Sequence, residues 1–301
     1  MLPEFHAAHQ VICFGEMLWD VLPTGKQPGG APLNVALHLH NFGLATTLIS
    51  RVGTDDLGAE LLAFVEAKGL STACVQRGHS HLTGVVKANV QDGHEVTYKI
   101  VAPVAWDYIQ YDDPLGRLVE AADAFVFGSL AARGTATRET LYRLLQRARL
   151  KVFDVNLRAP HYTRDVVTYL LQQADLVKLN EAELAEVMGW FGAGTAEETA
   201  LQWLAERFGL QAACVTKGAA GATLWTGGRL YHSPGFAVTV QDTIGSGDAF
   251  LAALLRGWLA GQPPTDYLPF ACATGSLVAT FRGATPPISE HMVRELTLAS
   301  R

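Results

Sequence analysis

Charge is scarce in this chain. Only 17% of its 301 residues are charged, the net charge is −6, and no basic stripe runs along any segment. A chain that is 49% hydrophobic with so little charge is not disordered, and it lacks the electrostatic footprint of a nucleic-acid binder. Cysteine is scarce too. Cys13, Cys74, Cys214 and Cys272 lie far apart, with no C-x-x-C spacing for zinc or redox chemistry. Each sits in an apolar run such as VICFG or AACVT and reads as a small buried hydrophobe in a reducing compartment. No apolar run approaches the roughly 18 residues of a membrane span. The N-terminal MLPEFHAAHQ has no cationic stretch followed by an apolar one, so a secretory signal is not expected. The expectation is a cytoplasmic protein with no membrane and no nucleic-acid partner. Also missing are any fixed-period repeat, any low-complexity linker, and the signatures GxxxxGKS/T, GxGxxG after a strand, HExxH and GxSxG. His38, His40, His79, His81 and His94 have no metal-ligand spacing.

What is present is alternation. VICFG (11–15), TTLISRVG (46–53), AFVFG (124–128), KVFDVN (151–156), DLVKLN (175–180) and AACVTKG (212–218) read as buried strands. Helical patterns fall between them at 31–43, 57–69, 137–149 and 195–209, and Gly43, Gly69 and Gly209 stand where helices end. This order predicts an α/β fold, a mostly parallel central sheet with helices on both faces. Segments 19–28 and 83–101 instead alternate polar and apolar, and Asp92-Gly93 is a hairpin signal. A small antiparallel flap beside the main sheet follows. It either covers a ligand, pairs with a second subunit, or is a plain surface hairpin.

Four stretches carry candidate chemistry. In DTIGSGDAF (242–250), Gly245 and Gly247 flank Ser246 just before an apolar helical run at 249–260. Converging backbone N–H groups and a helix N-terminus suit an anion there. Asp248 is then either a helix cap or a base beside that anion, with Asp242 placed to anchor a cation. In PGGAPLN, Gly29 and Gly30 let backbone approach a ligand, Asn34 follows one turn into the helix, and Asp20 of GEMLWD projects nearby. A carboxylate with an amide suits polyhydroxyl recognition, since a carboxylate accepts two hydroxyl protons at once; a tight turn explains the glycines equally. DVNLR (154–158) and KLNEAEL (178–184) end two strands, where α/β folds bind ligands. Asn180 and Glu183 suit a hydrated Mg²⁺, or form an N-cap with its capping-box partner. VTKGAAGA (215–222) is either a glycine turn beside a nucleotide or a simple hairpin.

Together these stretches resemble the ribokinase/PfkB family of sugar kinases over nearly the whole chain, from VICFGEMLWD to RGATPPIS. PGGAPLNVALHLHNFG with RVGTDDLG resembles the family's N-terminal signature and DTIGSGDAF its C-terminal one; GEMLWD, DVNLR and VTKGAAGA are most similar to the fructokinase branch. Ser246 departs from the usual alanine and is small enough to keep the loop. The resemblance implies a ribokinase-like three-layer sandwich over 1–301, with a β-sheet lid formed by about 19–28 and 83–105. It implies ATP-dependent phosphorylation of a small sugar at a primary hydroxyl, fructose to fructose 6-phosphate. It further implies Asp248 as base, with Gly245, Ser246, Gly247 and Asp248 forming the anion hole. Asp20, Gly29, Gly30, Asn34 and Arg158 would hold the sugar. Asn180, Thr216, Lys217, Gly218, Gly221 and Gly247 would hold ATP. Asn180 and Glu183 would organise Mg²⁺ through water, and Asp242 with carbonyls near Phe281 and Gly283 a monovalent cation such as K⁺. A homodimer through the lid is the expected assembly. 2-Keto-3-deoxygluconate, a ribosyl compound, or a silent sugar- or nucleotide-binding regulator are the other readings; a silent protein would have lost the base or the glycine loop.

Overall fold

The computed structural model describes residues 9–22, 25–91, 95–194 and 196–299. Its first strand, β1 (Gln10–Phe14), lies inside the main sheet, and its side chains alternate between two cores. Val11 and Cys13 join one apolar cluster, Ile12 and Phe14 the other, and all four are fully buried. Beside β1 lie β4 (Ala45–Gly53) and β5 (Val75–Gly78) on one side. On the other lie β8 (Ala124–Gly128), β9 (Lys151–Asp154), β10 (Leu176–Asn180) and β11 (Ala212–Thr216). These run parallel; β12 (Ala222–Thr226) and β13 (Arg229–Ser233) finish the 9-stranded sheet as antiparallel additions. The chain departs from β1 in both directions, so a topological switch point lies between β1 and β8. A crevice opens there at the carboxyl ends of the strands.

The helices cover both faces, which completes the expected three layers. Helices α1 (Ala31–Asn41), α2 (Asp56–Ala67), α8 (Ser246–Leu259), α9 (Pro264–Val278) and α10 (Glu290–Ala299) pack on the first cluster. Helices α3 (Asp113–Ala121), α4 (Thr135–Leu145), α5 (Arg164–Gln173), α6 (Glu181–Phe191) and α7 (Glu197–Phe208) pack on the second. Burying each Leu, Val or Phe of these clusters is worth about 1.5–3 kcal/mol. Local signals set the helix limits. Asp55, Asp112 and Thr163 accept backbone N–H groups of the first turns of α2, α3 and α5. Gly43, Gly69 and Gly209 close α1, α2 and α7 with φ of +82°, +82° and +68°.

A separate 4-stranded sheet, β3-β2-β6-β7, stands over the switch point. It comprises β2 (Leu18–Leu22), β3 (Gly25–Gly29), β6 (Gly84–Gln91) and β7 (Glu95–Ile100). The flap expected from sequence is antiparallel throughout. Here β2–β3 and β6–β7 are antiparallel, but the central β2–β6 pair is parallel. Two distant hairpins supply this sheet, and nothing in either one's alternation specifies how they meet. The Asp92-Gly93 turn lies outside the described residues. Trp19 ties the sheet to the body by donating Nε1–H to the Leu57 carbonyl at 2.9 Å. The segment after β7 is fastened by Arg133, which grips both oxygens of buried Asp107 at 2.7 and 2.8 Å. All four cysteines are free thiols, but Cys74 is only half-buried, unlike the other three, because it lies in the turn that leads into β5 at the sheet edge. Among the described residues, no helix is long and apolar enough to cross a membrane.

Candidate active site

The glycine loop of the sequence is itself the first turn of α8. The helix begins at Ser246, three residues earlier than the apolar run suggests, and Gly245 is its N-cap at φ +78°. No side chain caps this helix. Among the described residues, the amides of Gly247 and Asp248 take no hydrogen-bond partner. Asp248 therefore does not cap. Its Oδ2 accepts Asn34 Nδ2–H at 2.8 Å, across 214 residues of chain. Asn34 is on the first turns of α1, which packs against α8, so the two signatures meet through this bond.

Asp248 is not an ordinary aspartate. Burial raises its pKa to about 6 and the Asp154 carboxylate adds to the rise, opposed by Lys178, by the Asn34 hydrogen bond and by Arg158. At neutral pH such a carboxylate is still roughly nine-tenths ionised. It is a better proton acceptor than an unperturbed aspartate, because basicity grows with pKa.

Gly29, Gly30, Asp20 and Arg158 also converge. Gly30 has φ +113°, and a Cβ there would lie 2.5 Å from the Glu16 carbonyl oxygen, so α1 can start only from glycine at this approach. Gly29 lies across the hairpin from Asp20, whose carboxylate fills the space a Cβ would take. Burial raises the Asp20 pKa to about 6, with Arg158 opposing. Arg158 is exposed, yet its charge reaches Glu16, Asp20 and Asp248. Asn156, two residues earlier, holds φ +39° in the left-handed region and turns the chain toward this cleft. Arg51 does not enter it; its Nη1–H goes to the Tyr108 carbonyl at 2.7 Å. Asn34 Oδ1 is buried with no partner, an acceptor left open beside Asp248.

On the other side of the α8 turn lies a cavity of about 470 Å³. Thr216, Gly218, Gly221, Ser246 and Gly247 line it, with Phe236, Val238 and Phe250 among its apolar walls. The Ser246 hydroxyl is buried there without a partner. The stretch 218–221 is at once the turn of the β11–β12 hairpin and part of this wall. Lys217 is not in the wall. Its ammonium is drawn to Glu197 Oε1 at 3.0 Å and Thr223 Oγ1 at 2.9 Å.

Asn180 and Glu183 form a capping box. Asn180 Oδ1 accepts Glu183 N–H at 2.9 Å, and Glu183 Oε2 accepts Asn180 N–H at 2.9 Å. Glu183 Oε1 accepts Leu157 N–H at 2.9 Å, which holds the DVNLR strand end against α6. Every carboxylate oxygen of Glu183 is thus already bonded, and no cluster of three or more His, Cys, Asp or Glu able to hold a metal exists among the described residues. That donor set fits a Mg²⁺ held through its own waters, since each oxygen keeps a lone pair for a water proton. It does not fit a direct protein cage. Asp242 stitches two loops together, accepting Ile244 N–H at 3.0 Å and Gly283 N–H at 3.1 Å.

Sequence reasoning missed three residues. Glu16 is buried beside the start of α1 with Oε2 unpartnered; burial, aided by the Asp248 charge, lifts its pKa to about 7. Lys178 and Asp154 form an ion pair at 2.9 Å under the α8 turn. The sequence shows one lysine in the apolar LVKL and one aspartate in VFDV, but only the β9–β10 register sets them side by side.

The molecule is thus a three-layer sandwich with a separate small sheet, and the Gly245–Asp248 turn stands between an acid-lined cleft and an apolar cavity. The chain belongs to the pfkB family of carbohydrate kinases, whose model matches residues 8–291. It is similar to the fructokinase of Escherichia coli, 29% identical over 297 residues that cover 91% of this chain and 94% of that protein. Fructokinase-1 of Zea mays is 27% identical over 310 residues, covering 92% and 94%. Among solved structures, fructokinase with bound ATP from Xylella fastidiosa superposes with a TM-score of 0.85 at 25% identity, covering 97% of this chain and 98% of that one.

Proposed function

We propose that this carbohydrate kinase transfers the γ-phosphoryl group of ATP to the primary hydroxyl of fructose, giving fructose 6-phosphate and ADP. One observation carries the reading: Asp248 stands at the uncapped head of α8, bound to Asn34, next to Ser246 and Gly247 of the 470 Å³ cavity wall, and Arg158 acts on both it and Asp20. Asp20 and the open oxygen of Asn34 would accept sugar hydroxyl protons, with Gly29 and Gly30 admitting the ring and Arg158 at the rim. ATP would fill the cavity along Thr216, Gly218 and Gly221, near Asn180. The transferring group would then lie at the Gly245–Asp248 turn. Asp248 takes the hydroxyl proton as the new P–O bond forms and the bond to the β-phosphate oxygen breaks. The amides of that turn receive the charge on the equatorial oxygens. Phosphoryl transfer is loose, so positioning and charge stabilisation dominate over the strength of the base. Mg²⁺, held through water by Asn180 and Glu183, would neutralise phosphate charge. Asp242 with the 281–283 carbonyls offers a site for K⁺.

Arg158 supports a second acceptor. A cation within reach of Asp20 and Asp248 suits an acidic sugar such as 2-keto-3-deoxygluconate. A coupled ADP-release assay over a panel of sugars decides between them. Fructose is expected to give the highest kcat/KM, EDTA to abolish turnover, and Mg²⁺ to restore it. A higher kcat/KM for the acidic sugar would replace fructose as the substrate, and full rates in EDTA would remove Mg²⁺ from the reading.

The reading includes a homodimer through the small sheet and a cytoplasmic site of action. Among the described residues, strands β3 and β7 each pair on one side only, and a second copy would cover such an edge. Light scattering should then return twice the chain mass of 32.4 kDa, and a monomer would exclude the dimer.

A further inference from the structure

Lys178 has an unusual position for a lysine. It sits in the middle of β10, an interior strand, with its side chain 8% exposed. Withdrawing an ammonium from water costs several kcal/mol even after relaxation. Asp154, its register partner on β9, offsets that cost by accepting N–H bonds at 2.9 and 3.1 Å on its two oxygens. Fold stability does not account for the pair, because apolar residues of similar volume generally replace a buried ion pair without loss.

The surroundings do account for it. An ammonium has three N–H donors, and the bonds to Asp154 use two. Gly247 lies directly over the nitrogen: a Cβ on Gly247 would be 3.1 Å from Lys178 Nζ. The lysine charge therefore sits beneath the turn whose amides at Gly247 and Asp248 have no protein partner. Asp154, Asp248 and Glu183 all act on it. A nucleotide arriving there would meet three carboxylates, and Lys178 is the cation buried among them, with Arg158 exposed at the sugar side.

We propose that Lys178 is a positioning residue for phosphoryl transfer: its charge forms the floor of the Gly245–Asp248 turn and, through it, favours the γ-phosphoryl group. This rests on the kinase reading above, which puts the γ-phosphoryl group at that turn. A merely structural lysine would affect ATP and ADP alike, whereas a charge beneath the γ position distinguishes them.

The test compares wild type with K178Q, which leaves Asp154 a hydrogen-bond donor, and with K178M/D154L, which removes both charges together. Calorimetric affinity for the β,γ-imido analogue of ATP should fall about tenfold in each variant, and affinity for ADP less than about twofold. Turnover should fall by about 10²-fold while the KM for sugar changes less than about threefold. K178R, which keeps the charge, should retain most of the analogue preference. Wild-type analogue-to-ADP ratios in either uncharged variant, or equal loss of both nucleotides, would overturn the proposal. Wild-type enzyme that turns over no sugar would instead sink the kinase reading itself.

Discussion

Asp248→Asn is expected to lower kcat by about 10²–10⁴-fold, the range for removing a general base. The fold should survive, because the new amide oxygen can still accept from Asn34, which now holds the carboxylate at 2.8 Å. Stability should hold or rise slightly. Burial and Asp154 already disfavour the ionised form, and asparagine carries no charge to bury. The wild-type rate should also depend on pH. Asp248 works unprotonated, so kcat/KM should be high above its pKa of about 6 and fall as pH drops through it. That acid limb lies well above the ~3.9 of a free aspartate. Rate measurements from pH 4.5 to 8 check the limb, and circular dichroism checks the fold. Wild-type turnover in the variant would remove Asp248 from the base role. Residual activity in the variant should lack the limb at about 6.

Gly245→Ala should be nearly as damaging, by a steric route. Gly245 holds φ +78°, a region that costs an L-residue roughly 1–2 kcal/mol. A Cβ there would also stand 2.6 Å from the Cα and carbonyl oxygen of Ala284. Backbone cannot yield as a flexible side chain does, so the α8 turn must shift. The amides of Gly247 and Asp248 would shift with it. Losing one preorganised donor to a developing oxyanion typically costs about 10²–10³ in kcat. The expected result is a loss of that order, with the KM for sugar changed far less and unfolding easier by about 1–3 kcal/mol. Wild-type kcat in a folded Gly245→Ala protein would show that the turn does not stabilise the transferring group.

Much of the architecture is legible in sequence because its signals are local. The six strands read from apolar runs correspond to β1, β4, β8, β9, β10 and β11, and the four helical patterns to α1, α2, α4 and α7. Missed elements lack such signals. Helix α9 contains Pro269 and is apolar nearly all round, so it shows little amphipathic period. Strands β12 and β13 follow a glycine turn that pattern alone leaves as either loop or hairpin.

The site divides along the same line. Asp248, Asn34, Asp20 and Gly29-Gly30 each fit a plain helix start or turn alone, and stand out only together and beside the glycines flanking Ser246. Lys217 was placed by its neighbours in sequence, and Glu197, on a helix in another layer, draws its side chain away. Lys178 and Asp154 escaped notice because a lysine and an aspartate on separate strands acquire meaning only when register sets them side by side.

By itself, then, the sequence determined the alternation that builds the sheet, the glycines that permit close backbone approach, and the acids available for chemistry. Those properties depend on residues within a few positions of one another. Tertiary structure alone decided the parallel joining of β2 to β6, the bond from Asn34 to Asp248, and the ion pair beneath Gly247. It also decided the raised pKa of Asp248, since burial and neighbouring charge depend on which distant strands and helices meet.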